Sequence, residues 1–316
     1  MEPGNAVDWF VDRHSRDGNG GRMAFRDPWR SLTYSDLADQ TARFAGALLH
    51  AGIGRERRVV LLLLDTIDFP IAFWGAMRAG VVPVPINTLL TPETVAYILA
   101  DSRADAVVIS APLIENLSAA IRAAGVRRII VSQPDGSPWR ADQAFPAGST
   151  GLGDTALPPD EPCRGLAEFL TAGDPATATQ PASPDEVAFW LYSSGSTGAP
   201  KGVRHIHSSL RFTADTYGAE VLGIGRDDVM FSAAKAFHAY GLGNSLTFPL
   251  SAGASSVLLP DRPTPDAVLG MMRTHNPTLF GGVPTLYAGL LANPYIMPGA
   301  GSTRLRRCIS AGEALP

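Results

Sequence analysis

Cysteine is almost missing from this 316-residue chain: Cys163 and Cys308 are its two thiols, far apart and in no Cys-x-x-Cys pattern. That scarcity excludes a disulfide framework and leaves isolated reduced thiols. Charge is also sparse. Charged residues make up 18%, with 26 Lys and Arg against 30 Asp and Glu and a formal net charge of −4. No basic block occurs, so the electrostatic footprint of a nucleic-acid partner is lacking. Long apolar runs are lacking too. The longest, Val59 to Leu64, is far too short to span a membrane. The N-terminal segment Met1 to Gly20 holds no apolar stretch of the secretory kind, so the expectation is a cytoplasmic protein. What is present is a 45% hydrophobic content, the composition of a globular α/β protein. The length suffices for two packed subdomains.

Apolar periodicity supplies the frame. After Ser35, the residues Leu37, Thr41, Phe44, Ala45, Leu48 and Leu49 recur on one helical face, and Gly52 closes the pattern. Val59 to Leu64 is apolar on both faces, as a strand between helix layers must be. A helix over 69–79, a strand over 81–85, a helix over 92–100, a strand over 106–109, a helix over 113–124 and a strand over 128–131 follow. Thr91-Pro92-Glu93 reads as an N-cap, a first-position proline and a first-turn acid, and Thr264-Pro265-Asp266 repeats it. Residues 133–184 lose this periodicity and read as an irregular connection, with a short element around Leu166 to Leu170. Alternation then resumes. Strands are expected over 187–192, 229–232, 255–259, 278–281 and 305–310, and helices over 208–222, 241–250, 265–275 and 284–292. The pattern predicts an α/β fold of two packed, mostly parallel sheets with helices on their faces. The expected subdomains are 1–184 and 185–316, the second carrying the loop described next.

Ser193-Ser194-Gly195-Ser196-Thr197-Gly198-Ala199-Pro200-Lys201-Gly202 follows the aromatic run Phe189-Trp190-Leu191-Tyr192. Glycines let a backbone turn and approach a ligand closely, successive N–H groups make an anion-binding concavity, and hydroxyls add donors. Lys201 supplies a mobile positive charge. Such a loop suits a polyphosphate. It is not a P-loop, because Gly202 stands where that motif needs Ser or Thr, and no Gly-x-Gly precedes a helix as a dinucleotide fingerprint requires. A flexible Gly/Ser linker is the plainer alternative. It would lack the strand before, the Pro-Lys-Gly within and the helix expected after.

All ten positions resemble the [ST]SG[ST]TGxPKG signature of the adenylate-forming superfamily, and the resemblance extends over roughly Ser31 to Pro316. It implies that Ser193, Ser194, Gly195, Ser196, Thr197, Gly198 and Lys201 bind ATP, with Thr197 also at Mg²⁺ and Lys201 taking part in catalysis. It further implies that Gly312, Glu313 and Ala314, in Ser310-Ala311-Gly312-Glu313-Ala314-Leu315-Pro316, lie against adenine. The chain then resembles the large N-terminal domain of such enzymes. Their later acidic segment, ribose-binding aspartate and mobile C-terminal domain would be absent.

Phe237-His238-Ala239-Tyr240 follows an expected strand, where ligands of open α/β sheets collect. A histidine beside two aromatics is by itself more often a packing residue. The resemblance instead puts it at the carboxylate to be activated, as a second catalytic residue. His238, Ala239, Tyr240, Gly282, Ser310, Ala311 and Gly312 would then line the acyl site. Phe237-His238-x-Tyr240 resembles plant coumarate ligases, whereas Pro83-Val84-Pro85-Ile86-Asn87-Thr88-Leu89-Leu90 and Gly241-Leu242-Gly243-Asn244 resemble bacterial benzoate-CoA ligases, which have Phe at the position of His238. Gly241, Gly281 and Gly282 are expected to clear room for a flat ring. The resemblance implies ATP-dependent activation of a small, benzoate-like acid to its adenylate and then its thioester. ATP, Mg²⁺ and coenzyme A would take part, without a nucleic-acid or membrane partner, and a homodimer is left open. A binding module that does not turn over, and a peptide-synthetase adenylation domain, are the alternatives. His205 and His207, spaced i, i+2, would share a face if they lay on a strand, but they lack further metal ligands.

Overall fold

The computed structural model describes residues 4–139, 163–193, 198–294, 296–297 and 299–314. In chain order, a π-helical turn at Asp8–Asp12 leads into α1 (Arg13–Arg16), and the hairpin strands β1 (Met23–Arg26) and β2 (Ser31–Thr33) follow. Next come α2 (Tyr34–His50), β3 (Arg58–Leu62), α3 (Asp68–Arg78), β4 (Val82–Pro85) and α4 (Pro92–Ser102). Then follow β5 (Ala106–Ser110), α5 (Ile114–Ala123), β6 (Arg128–Ser132), β7 (Arg164–Gly165) and α6 (Leu166–Thr171).

The hairpin β8 (Val187–Ser193) and β9 (Lys201–Ile206) precedes α7 (His207–Thr213), which runs on as a π-helix over Ala214–Val221. After β10 (Val229–Ser232), α8 (Ala239–Leu242) and α9 (Phe248–Ala252) are joined by a π-helical stretch at Gly243–Thr247. β11 (Ser255–Val257), α10 (Pro265–His275), β12 (Leu279–Gly282), α11 (Pro284–Leu291) and β13 (Arg307–Ser310) complete the order.

Two compact units result. The first comprises Met1–Val7, Asp39–Leu64 and Asp68–His207, and the second Asp8–Ala38, Asp65–Ile67 and Ser208–Pro316. In the first, β4-β3-β5-β6-β7 form a wholly parallel sheet. Val60, Leu62, Val107, Ile109 and Val131 fill one core cluster with Val95, Ile98 and Ile121 of the covering helices. Burying each such side chain contributes about 1.5–3 kcal/mol, which is why these strands are apolar on both faces. In the second unit the order is β13-β12-β10-β11-β1-β2, parallel except for the antiparallel β1–β2 edge.

The division drawn at residue 184 moves. β8 and β9 pair antiparallel in a sheet of their own, and Trp190 and Tyr192 pack on the first unit's core, so the hairpin goes with that unit. The reading of 187–192 as a strand of a parallel sheet is corrected accordingly. Conversely, β1 pairs in parallel with β11 and draws Asp8–Ala38 into the second unit. The Ile67 N–H donates to the Asp27 carboxylate at 3.0 Å, which ties Asp65–Ile67 there as well. Both Thr-Pro-acid signals hold: Thr91 accepts from the Thr94 N–H at 3.4 Å and Thr264 from the Ala267 N–H at 3.3 Å.

Candidate functional site

The second unit's strands β10, β12 and β13 run parallel, so their carboxyl ends share an edge. After Ser232 the chain turns there, and the Ala233 N–H donates to the Gly281 carbonyl at 2.8 Å. His238 is extended (φ −108°, ψ 149°) and starts α8, its carbonyl accepting from the Leu242 N–H at 2.7 Å. Its ring meets Phe237 edge-on at 4.6 Å. Neighbouring chain on one side lowers its pKa, so the imidazole is neutral near pH 7.

Tyr240 is half-buried. Its hydroxyl lies 3.2 Å from the Gly282 carbonyl and 3.0 Å from that of Ile309, and its single proton serves one at a time. Burial pushes its pKa up to about 12. The Ala311 N–H reaches the same Gly282 carbonyl at 3.4 Å. Glu313 accepts from the Thr285 hydroxyl at 3.0 Å, just past Gly312 at φ +92°. This edge therefore gathers Tyr240, Gly282, Ser310 and Ala311, with His238 and Ala239 leading into Tyr240. Gly312, Glu313 and Ala314 follow directly on the exposed end of β13.

The glycines do different work from that expected. A Cβ on Gly241 would fall 2.0 Å from the Lys235 carbonyl oxygen, so this glycine lets α8 cross backbone rather than clearing a slot for a ring. A Cβ on Gly281 would stand 3.4 Å from Tyr240 Oη, and one on Gly282 3.2 Å from Tyr287 Cε2. The contacts at Gly281 would be ordinary ones, whereas at Gly282 the Tyr287 ring already crowds the position.

In the first unit, Ser193 and Lys201 face each other as the last and first ladder partners of β8 and β9. The strand before this stretch is therefore paired with a strand after it, β9, where a helix was expected to follow. Ser194, Gly195, Ser196 and Thr197, the last expected at Mg²⁺, lie outside the described residues. Gly198 takes φ +103°, a backbone that side-chain-bearing residues rarely adopt. The Lys201 side chain is exposed, and among the described residues its ammonium has no hydrogen-bond or ion-pair partner. The two histidines nearby do not share a strand face. His205 stacks on Phe189 at 4.5 Å, while His207 begins α7, is buried, and accepts from the Ala6 N–H through Nδ1 at 3.1 Å. Among the described residues no three His, Cys, Asp or Glu side chains converge as metal ligands. A separate cavity of about 380 Å³, lined among others by Met77, Val82, Trp190 and Arg204, contains none of the expected site residues.

Sequence reading passed over Asp65. It is 2% exposed, and both its oxygens lie 3.2 Å from the Ala236 N–H. Its one signal was a carboxylate directly after the apolar run that ends at Leu64.

The histidine and the anchored tyrosine thus sit at the carboxyl ends of parallel strands, where ligands of open α/β sheets collect. The chain belongs to the AMP-binding enzyme family, which it matches over residues 12–316. It is 45% identical to a 4-hydroxybenzoate–CoA/benzoate–CoA ligase of Rhodopseudomonas palustris, over 99% of this chain and 53% of that protein. It is 44% identical to a benzoate–CoA ligase of Thauera aromatica, over 99% and 54%. The crystal structure of a benzoate CoA ligase from Burkholderia xenovorans LB400 superposes with a TM-score of 0.85 at 41% identity, over 99% of this chain and 56% of that one. The chain spans about half the length of the curated relatives it matches. Among the described residues no helix is long and apolar enough to cross a membrane.

Proposed function

We propose that this chain is the nucleotide- and acid-binding part of an AMP-forming aryl-CoA ligase that activates a benzoate-like acid. The observation that carries the reading is the strand-end cluster of His238, Tyr240, Gly282 and Ser310, in a chain 45% identical to a ligase named for benzoate and 4-hydroxybenzoate. In the first half-reaction a carboxylate oxygen of the acid bonds to the α-phosphorus of Mg·ATP, and pyrophosphate leaves. In the second the coenzyme A thiol attacks the acyl carbon, a thioester forms and AMP leaves.

The chain's own contribution is positioning and charge stabilisation. Lys201 and the donors of residues 193–198 bind the phosphates and balance the charge of the departing pyrophosphate. Thr197 would help hold the magnesium that enters with ATP, and Gly312, Glu313 and Ala314 would flank adenine. Neutral His238 offers a ring N–H to the acid's carboxylate. Ala239, Tyr240, Gly282, Ser310 and Ala311 wall the aromatic end. ATP and coenzyme A as co-substrates place the reaction in the cytoplasm.

The test is ATP–pyrophosphate exchange by this chain extended to the length of its relatives, with benzoate, hydroxybenzoates, aminobenzoates and C8–C16 fatty acids. Exchange driven best by a benzoate supports the proposal. Binding of ATP and benzoate with no exchange would leave a non-catalytic binding module instead. A fatty acid as the best substrate would overturn the acid assignment.

A further inference from the structure

We infer that Asp65 is a positioning residue for the acid-binding loop: its buried carboxylate fixes the backbone at Ala236 and thereby the place of His238. The inference rests on the aryl-acid reading of the strand-end cluster, and it concerns a residue outside that cluster.

Three segments of the second unit meet here. Asp65 accepts the Ala236 N–H at 3.2 Å through each oxygen, one proton shared between two acceptors. Lys235, next in the chain, donates its ammonium to the Leu259 carbonyl and, at 2.7 Å, to that of Asp261, both in the segment after β11. The loop after β10 is thus held on one side by a negative charge and on the other by two carbonyls. His238 takes up this position through backbone alone. Its N–H donates to the Lys235 carbonyl at 3.1 Å, and its own carbonyl receives the Leu242 N–H at 2.7 Å. Gly241 packs so tightly over the Lys235 carbonyl that a shift of residues 235–236 displaces the start of α8, and Tyr240 with it.

A purely structural tie would not need these charges. Burying a carboxylate and an ammonium costs free energy that a neutral acceptor or an apolar pair avoids. Burial raises the Asp65 pKa to about 6, against the opposing pull of Lys235, and it lowers that of Lys235. Two costly charges that anchor a loop ending at His238 are what a preorganised acid site requires, because a misplacement of about 1 Å near reacting groups costs about 10²-fold in rate.

The experiment compares wild type, Asp65→Asn and Lys235→Met in the chain extended to its relatives' length, with benzoate and ATP as the probes. Asp65→Asn keeps an acceptor for the Ala236 N–H but loses the charge that faces Lys235. The expected result is a rise in KM for benzoate of about tenfold or more in each variant, with KM for ATP within twofold and a cooperative melt retained. The double variant is expected to add little to either single one, because both charges hold the same two-residue stretch, Lys235-Ala236. An unchanged benzoate KM in folded Asp65→Asn would overturn the inference. So would equal rises in both KM values, or a lowered melting temperature with both KM values unchanged, since each marks a merely structural tie. If wild type itself activates no benzoate, the functional reading fails first, and the two failures stay distinguishable.

Discussion

His14→Phe isolates one buried proton site. His14 is 2% exposed, its Nε2–H donates to the Leu250 carbonyl at 2.7 Å, and its ring lies 4.1 Å from that of Tyr34. Its Nδ1 is buried without a partner among the described residues, so a second proton has nowhere to go. Burial, reinforced by Arg13, lowers the pKa from 6.5 to about 4. The folded-state pKa is thus below the unfolded one. The stabilisation from keeping the ring neutral is full above about pH 6.5 and is lost as pH falls through about 4. The gap is worth roughly 3 kcal/mol in all, about 2 of it gone by pH 5. Phenylalanine keeps a ring on Tyr34 but removes one of the two donors to the Leu250 carbonyl, which keeps the Gly253 N–H at 3.3 Å, a loss of about 1 kcal/mol at pH 7.5. Urea unfolding of both proteins at pH 7.5 and pH 5 should therefore show their stability difference shrinking by about 2 kcal/mol, and even reversing sign. A difference that stays constant with pH would refute the neutral, single-bonded histidine.

Lys201→Ala, at an exposed residue without a partner among the described ones, should leave the melting temperature unchanged while pyrophosphate exchange falls by about 10²–10³. Unchanged exchange would remove the lysine from the phosphate site. Tyr240→Phe keeps the ring but removes the proton shared by the Gly282 and Ile309 carbonyls, and urea unfolding should register a loss of about 1 kcal/mol. Gly241→Ala drives a methyl into the Lys235 carbonyl and should cost about 1–3 kcal/mol of stability. Calorimetric titration with benzoate should then show weaker acid binding.

Legibility in the sequence followed how local each signal was. β3, β5 and β6 announced themselves because both faces are buried and no polar residue interrupts them. The helix starts at Thr91 and Thr264 were legible because a cap is a contact three residues long. β9 was missed. Its residues Lys201 to Arg204 are exposed, so it lacks an apolar pattern, and it is a strand because β8 pairs with it. β1 and β2 are four and three residues long, too short to show a period; β1 exists through pairing with β11 far along the chain, and β2 through pairing with β1. The helices expected over 208–222 and 241–250 are there in outline, but both contain π-helical stretches that periodicity does not resolve. In the site, the phosphate-type loop is one contiguous signature. The partners of Asp65 and Tyr240, by contrast, lie 171 and 69 residues away.

Where Tyr240 spends its hydroxyl bears on selectivity. On the proposed function its ring walls the aromatic acid, and an unengaged phenol there would read a hydroxyl or amino group on the substrate. Such polar reading discriminates by about 10⁴ or more, because a mismatched analogue leaves a buried group unpaired. The proton of Tyr240 is already engaged by two main-chain carbonyls, so using it for substrate means giving up a bond that holds β12 to β13. The neighbouring glycines do not offset this, since Gly281 and Gly282 carry no polar side chain. Discrimination among ring-substituted benzoates is then left to shape, worth ~1–3 kcal/mol per methylene-sized change. The kcat/KM values for benzoate and its monohydroxy and amino derivatives should accordingly lie within about 10–200-fold of one another. A ratio near 10⁴ for one ring substituent would show that a polar group reads the ring, and the hydroxyl of Tyr240 would have to leave its carbonyls to be that group.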